Sequence, residues 1–233
     1  MNILRETIVI VLLLFLSLNV CLADELILGK DTKYQQQVMK TGFRILNCNN
    51  IPKRITFFYN TENKQKLKIN TRAKTVTIYK GLFPYIEDEN ELAALLSTGI
   101  ATLIDMHSGF FRRFSISFSP RKYEVKSDKK AVDLMVNAGY DPVALINILN
   151  KTASQPSWFE YNIFVHTGKE RTAYLYQYIY EKYPIYLADN RYLKTLYYQN
   201  FLLNSKDKRK MIRMIQEERL RIKEEKEKQE NNI

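Results

Sequence analysis

The segment from Asp88 to His107 constrains the fold of this chain more than any other stretch. Its apolar residues recur at steps of three and four, the spacing of an amphipathic helix; they are Leu92, Leu95, Leu96, Ile100, Leu103 and Ile104. Its first turn is rich in acidic residues, which the helix dipole favours there: Glu87, Asp88, Glu89 and Glu91. The sequence therefore predicts one long helix with a broad apolar face.

This helix resembles the zinc-binding helix of the HtpX/Oma-type family 48 metallopeptidases, in which a run similar to E-x-E-L-A-A-x-L-x-H-E-x-x-H-x-x-x-x-H lies at this register. On that pattern, Thr98 and Thr102 take the positions of the two zinc histidines, and Gly99 takes that of the general-base glutamate. His107 matches the last histidine, which is not a ligand in the family. The HExxH motif is thus replaced by Thr98-Gly99-Ile100-Ala101-Thr102.

These replacements remove the chemistry of the site. Two histidines four residues apart share a helix face and can bind one zinc ion, while the adjacent glutamate takes a proton from the bound water. A threonine hydroxyl is a poor zinc ligand, and Gly99 has no side chain to act as a base. Because a glycine inside a helix costs about 1 kcal/mol relative to alanine, stability alone does not explain Gly99. These residues also fit a core helix that carries no site.

The run from Arg121 to Asp128 resembles the family's R-x-x-E-x-x-A-D segment. In that resemblance Glu124 matches the third zinc ligand and Asp128 matches its partner. One protein ligand does not hold zinc at useful affinity, because catalytic sites use three ligands and a water. Without the histidines we expect Glu124 to be a solvated carboxylate near the start of a helix.

The run from Asp128 to Pro142 is the most specific match, and is similar to the family's A-D-x-x-x-x-x-L-x-x-A-G-Y-D-P. The residues also predict structure on their own. Gly139 ends one helix in the left-handed conformation, Asp141 caps the next helix, and Pro142 opens it. We expect the two helices to pack antiparallel on each other. The residues expected to face inward are Val132, Met135 and Val136.

The segment around His166 resembles the family's T-H-P-x-x-x-E-R loop, which sets the start of a final helix. In some members that histidine approaches the zinc. Gly168 stands near the expected proline, and His166 lies one residue closer to the Glu170-Arg171 pair than the pattern requires. A surface loop histidine without a metal role is the other reading. The resemblance covers about Gln35 to Pro184.

The N-terminal half predicts a first helix from Asp31 to Leu46 and three short strands. The strands are β-branched, aromatic or alternating runs at Ile55–Tyr59, Leu67–Ile69 and Thr75–Tyr79. We expect them to form a small antiparallel sheet. The resemblance implies that an edge strand would hold an extended substrate by backbone pairing, and that Lys80–Phe83 forms a short turn before the long helix.

Residues 1–23 are typical of a secretion signal, with Arg5, an apolar run from Thr7 to Val20, and small residues up to Ala23. We expect cleavage after Ala23 and a secreted, periplasmic or cell-envelope location; an uncleaved membrane anchor is the alternative. After cleavage Cys48 is the only cysteine, so the chain can form no intramolecular disulfide and no cysteine-based metal cluster.

The formal net charge of +11 raises the question of an anionic partner. An exported chain meets membranes and envelope proteins before nucleic acid, so we expect no nucleic-acid partner. The aromatic and basic run from Ser108 to Ser119 either lies at lipid headgroups or packs over the core.

Residues 205–233 are rich in lysine, arginine and glutamate and predict a solvated helix that frays at its end. A thin apolar stripe in its first half, at Met211, Ile212 and Ile215, allows partner docking as an alternative. The chain therefore divides into a signal at 1–23, a metallopeptidase-like domain at 24–204 and a charged helical tail at 205–233.

Together these observations predict an α+β chain: a mostly helical, metallopeptidase-like (zincin or gluzincin) domain with a small antiparallel sheet and a charged C-terminal helix. We expect no peptidase activity, no zinc or other cofactor, and a polypeptide-binding or scaffold role in the envelope. Its partners would be polypeptides or envelope proteins, with a membrane surface as a further candidate.

Two other classes of function stay open. One is an active zinc metalloendopeptidase with an atypical ligand set, and the other is a purely structural envelope module. The atypical set would be His107, Glu124, Asp128 and His166. His107 lies five residues past Thr102, which turns it about 140° around the helix and opposes the enzyme reading.

Overall fold

The computed structural model describes residues 29–52, 54–107, 120–152 and 168–230. A first helix, α1, covers 29–48. Three strands follow: β1 (Thr56–Asn60), β2 (Leu67–Asn70) and β3 (Thr75–Tyr79), and then a 3₁₀ helix (Lys80–Tyr85). The remaining helices are α2 (Glu89–His107), α3 (Pro120–Asn137), α4 (Val143–Thr152), α5 (Gly168–Lys182), α6 (Ile185–Ala188), α7 (Leu196–Asn204) and α8 (Lys206–Glu230). The chain is thus α+β and mostly helical.

The prediction of an antiparallel sheet is wrong for one of its two strand pairs. The strand order is β1-β3-β2: β2 pairs with β3 antiparallel, but β1 pairs with β3 in parallel. The turn between β2 and β3 is a tight one, in which the Asn70 side chain accepts hydrogen bonds from the amides of Arg72 and Ala73. Alternation of apolar residues predicts strands but not their direction, and here the consecutive strands β1 and β2 do not pair.

The β1 edge of this sheet is covered. On β1, the side chain of Gln35 from α1 takes the place of a neighbouring strand: its amide donates to the Phe57 carbonyl at 3.4 Å, and its oxygen accepts from the Tyr59 amide at 2.7 Å. On β2, the buried side chains of Leu67 and Ile69 place one face of the strand against the core. Because Gln35 takes backbone groups of β1, that edge is poorly placed to hold an extended substrate by strand pairing.

Helix α2 lies at the centre of the described fold. It begins as predicted, with Asp88 accepting a hydrogen bond from the Glu91 amide at 2.9 Å. The sheet, α3 and α4 all pack against it. Its apolar face is almost completely buried and includes Leu92, Leu95, Leu96, Ile100 and Leu103. The sequence prediction of a long core helix is confirmed.

The helices α3 and α4 follow the predicted sequence signals but not the predicted packing. Gly139 has a φ of +75° and Asp141 accepts from the Val143 amide at 2.9 Å, as expected for a helix end and a cap. Both helices pack mainly against α2 and α5, however, and only sparsely against each other. The hairpin prediction is wrong because the apolar stripe of each helix faces shared neighbours. Val136, expected to face inward, is only half-buried.

Helix α8 joins the body over its first turns and then projects from it. Ile212 is buried, and Arg209 lies over the rings of Tyr176 and Phe201. Residues 217–229 are all exposed. The first turns of the predicted tail therefore pack on α5 and α7, and the stripe residues Met211 and Ile215 stay exposed. The predicted signal at 1–23 and the run Ser108–Ser119 lie outside the described residues.

Candidate functional site

The two histidine positions of the zinc pattern are occupied by buried threonines. Thr98 and Thr102 are 3% and 5% exposed. Each hydroxyl donates to a carbonyl one turn earlier in α2, Thr98 to Ala94 at 2.9 Å and Thr102 to Thr98 at 2.8 Å. This back-bonding within the helix satisfies the hydroxyl protons. The two side chains are therefore used as parts of a helix interior.

The contact between α2 and the sheet explains why position 99 is a glycine, which the sequence did not reveal. A Cβ atom added at this position would lie 2.8 Å from Cγ1 of Val76 on β3, closer than real carbon atoms approach each other. The glycine lets the sheet pack directly on the backbone of α2. Sequence analysis found no stability argument for Gly99 because helix propensity does not include this contact.

Glu124 is buried, which corrects the expectation of a solvated carboxylate. It is 4% exposed, and its Oε1 lies 3.6 Å from Nη1 of Arg171 on α5. Asp128, one turn further along α3, accepts two hydrogen bonds from the same guanidinium, from Nε and Nη2, each at 2.7 Å. Propensity and charge pattern cannot predict this pairing, because the partner is 43 residues away. The structure thus joins two segments that the resemblance singled out separately.

The electrostatics of this Arg171 cluster, formed by Glu124, Asp128 and Arg171, follow from its geometry. Burial lowers the pKa of the guanidinium, but the Asp128 carboxylate outweighs it, so that the pKa of Arg171 is raised. A planar guanidinium matches a carboxylate bidentately, and the arrangement fixes α5 against α3. The cluster can hold two helices in register. With Arg171 at its centre it is a poor metal site, because its cation would repel a metal ion.

The remaining predicted site residues are not brought together by the described part of the chain. His107 is the last residue of α2, and the helix is regular up to that point, so it stays about 140° around the axis from Thr102. His166 lies outside the described residues. Within 29–52, 54–107, 120–152 and 168–230, no group of three histidine, cysteine, aspartate or glutamate side chains could hold a metal ion.

A groove of about 380 Å³ lies elsewhere, between α1 and the start of α2. The rings of Tyr34 and Phe83 stack in it with their centroids 4.0 Å apart. Its charged lining residues are one cation, Lys40, and three acids, Glu87, Asp88 and Glu89. The full lining is Tyr34, Gln37, Lys40, Thr41, Phe83, Ile86, Glu87, Asp88, Glu89 and Leu92. The groove therefore combines an aromatic wall with a mainly acidic rim, and it does not include Thr98, Gly99 or Thr102.

A buried ion pair that the sequence did not predict lies behind this groove. Glu91 is fully buried and accepts from Lys151 of α4 at 2.7 Å, from Asn147 at 2.7 Å and from the Glu87 amide at 2.7 Å. Burial raises the pKa of Glu91, and these donors oppose the shift. The available signal was Lys151 itself, a lone cation in an otherwise uncharged helix. This Glu91 cluster locks α2 to α4.

Comparison with protein-family models, with curated proteins and with solved structures finds no match to this chain. In the described part of the chain, no helix has the length and apolar character needed to cross a membrane.

Proposed function

We propose that this protein is a non-catalytic, peptidase-like protein that binds polypeptide segments in the cell envelope. The proposal combines the sequence resemblance with one structural observation: the helix positions that would hold zinc and its base serve packing instead. Thr98 and Thr102 are bonded within α2, and Gly99 is in contact with Val76. Residues that are used in this way are not available to bind zinc or to take a proton from water.

The meeting of Glu124, Asp128 and Arg171 supports the peptidase-like part of the proposal. These residues come from two separate motif segments, and a resemblance by chance alone would not require them to touch. The bidentate contact of Arg171 with Asp128 at 2.7 Å gives the two segments one structural purpose. This contact supports the proposal that the chain keeps the frame of such a site without its chemistry.

The groove between α1 and α2 supports the binding part of the proposal. Its volume of about 380 Å³ lies in the range of ligand sites, and its aromatic wall suits apolar or amphipathic side chains. The acidic rim at Glu87 and Glu89 suits a basic residue of the bound segment. Because Gln35 already takes backbone groups at the β1 edge, the groove is a better docking place than that edge.

Metal content tests the loss of catalysis. We expect the purified chain to hold almost no zinc after exposure to zinc and removal of loosely bound metal. One zinc per chain that is lost in Glu124→Ala would contradict the proposal, and peptidase assays should follow.

An engineered variant tests the placement of Glu124. Thr98→His with Thr102→His, in a chain that keeps Gly99, supplies two imidazoles without the collision that a larger residue at 99 makes with Val76. With Arg171→Met added to remove the cation beside Glu124, we expect this variant to take up zinc, and its combination with Glu124→Ala to lose it. A folded triple variant without zinc uptake would show that Glu124 is not placed as the resemblance implies.

Peptide binding tests the groove. Lys40→Glu makes the groove more acidic, so we expect it to strengthen the binding of basic peptides about threefold in fluorescence anisotropy. Lys33→Glu is the matched control, since it makes the same change on the exposed surface of α1 outside the groove. Equal effects of the two changes would exclude the groove. If no peptide binds, the structural envelope module becomes the better explanation.

A further inference from the structure

The two most exposed leucines of the described residues, Leu196 and Leu203, lie on α7. We define this α7 patch as Leu193, Leu196, Tyr197 and Leu203, which are 49%, 69%, 39% and 74% exposed. Leu196 and Leu203 are seven residues apart and therefore share one face, about 10 Å from each other along the helix. The opposite face is the anchored one, where Tyr198 and Phe201 are each 2% exposed. A rigid helix thus presents leucines to the solvent.

Basic residues flank this patch along the chain. Residues 190–216 carry seven cationic side chains and one anionic side chain, a formal charge of +6 out of +11 for the whole chain. The cations are Arg191, Lys194, Lys206, Lys208, Arg209, Lys210 and Arg213, and the anion is Asp207. Two of these cations pair with acids from other segments, Arg191 with Asp141 and Lys208 with Glu170. The outer part of α8, residues 217–230, carries six anionic and five cationic residues and is nearly neutral. Along the sequence, the excess positive charge therefore lies next to the exposed leucines.

We propose that the α7 patch docks on the surface of a bilayer that contains anionic lipids. Exposed leucines and a tyrosine can enter the boundary between headgroups and acyl chains, and the surrounding lysines and arginines attract the negative headgroups. This site is separate from the groove and does not depend on peptide binding.

Other occupants fit the charge less well. A second copy of the chain, docked through the same face, would bring two regions of charge +6 together, and like charges oppose such an isologous contact. A nucleic acid would satisfy the charge but leave the leucines without an apolar partner. A bilayer with anionic lipids satisfies both the charge and the apolar area.

Fluorescence quenching in the full chain tests contact with the membrane directly. Leu203→Trp places an indole in the patch, and the protein has one other tryptophan, Trp158, whose signal is subtracted with the unmodified chain. On vesicles of phosphatidylcholine and phosphatidylglycerol with brominated acyl chains, we expect the introduced indole to be quenched. Phe58→Trp is the matched control, on an exposed residue of β1 that should stay unquenched.

Vesicle binding of surface variants gives the second readout. Leu196→Ser with Leu203→Ser should weaken binding to the anionic vesicles at least about tenfold, and Lys194→Glu about fivefold. Phe58→Ser should have no effect. Quenching at both indole positions, or at neither, would overturn the proposal. Vesicle binding that the two serines leave unchanged would also overturn it. Either result would assign any membrane contact to another part of the chain. A dimer in light scattering that the two serines abolish would instead identify a second copy as the occupant.

Discussion

The two buried charge clusters of this protein differ in how completely the fold encloses them. In the Glu91 cluster, Glu91 and its partner Lys151 have side-chain exposures of 0% and 1%, and the donors to the acid come from α4 and from the Glu87 amide before α2. In the Arg171 cluster, the arginine side chain is 15% exposed and joins α3 and α5. The comparison shows that a buried ion pair can have two uses. The first is part of the core, and the second fastens two helices at a place that the resemblance marks as a former site.

The largest expected effect comes from Lys151→Met. It leaves the fully buried Glu91 without its cation, which should lower the free energy of unfolding by about 3–5 kcal/mol. Urea unfolding measures the loss. The control combines Lys151→Met with Glu91→Gln, which removes the uncompensated charge and should recover part of the stability. If the double variant is no more stable than the single one, the loss comes from the packing of the lysine stem and not from its charge.

A smaller effect is expected from Arg171→Met. It removes both hydrogen bonds to Asp128, but the cluster is partly solvated, so we expect a loss of about 2–3 kcal/mol. Arg171→Lys keeps the charge without the planar fork and should recover about half of that loss. A loss equal to that of Lys151→Met in the same unfolding assay would contradict the distinction between the two clusters.

Asp141 shows what happens to a buried carboxylate without a buried cation. Burial raises its pKa to about 6, and the exposed Arg191, at 3.4 Å, and the Val143 amide only partly oppose this. Because the folded state holds the proton more tightly than the unfolded state, the free energy of unfolding should fall as the pH rises from about 4 to about 6. Asp141→Asn retains the cap and does not titrate. The stability of the variant relative to the parent should therefore rise over that range and reach about 2 kcal/mol at pH 7. Parallel pH profiles for parent and variant would contradict this.

The smallest expected effect is that of Gly99→Ala, in the uncharged middle of α2 between the Thr98 and Thr102 contacts. The added carbon would press on Val76, and the strain should exceed the gain in helix propensity by about 1 kcal/mol. Val76→Ala alone should destabilise the fold by leaving a cavity. In the double variant thermal unfolding should show a smaller loss than the sum of the two single changes. Strict additivity would mean that Gly99 and Val76 are not coupled.

Local signals predicted the elements of this fold well. The three- and four-residue spacing of leucines specified α2, Gly139 and Asp141 marked a helix end and a start, and alternation identified the three strands. Each of these signals acts over a few residues, because hydrogen-bond geometry and side-chain periodicity are local properties. The sequence by itself also decided that positions 98, 99 and 102 carry no histidine or glutamate, since this needs only the identities of Thr98, Gly99 and Thr102.

Tertiary structure decided how these elements pair and pack with one another. The parallel pairing of β1 with β3, the burial of Glu124 and the pairing of Lys151 with Glu91 join residues that lie 19 or more positions apart. No local pattern contains such a distance, because the free energy that selects the partner comes from burying both groups at once. The same is true of Gly99, whose value depends on a strand that packs across the helix, and of the exposed leucines of α7, which the sequence alone could not separate from core leucines.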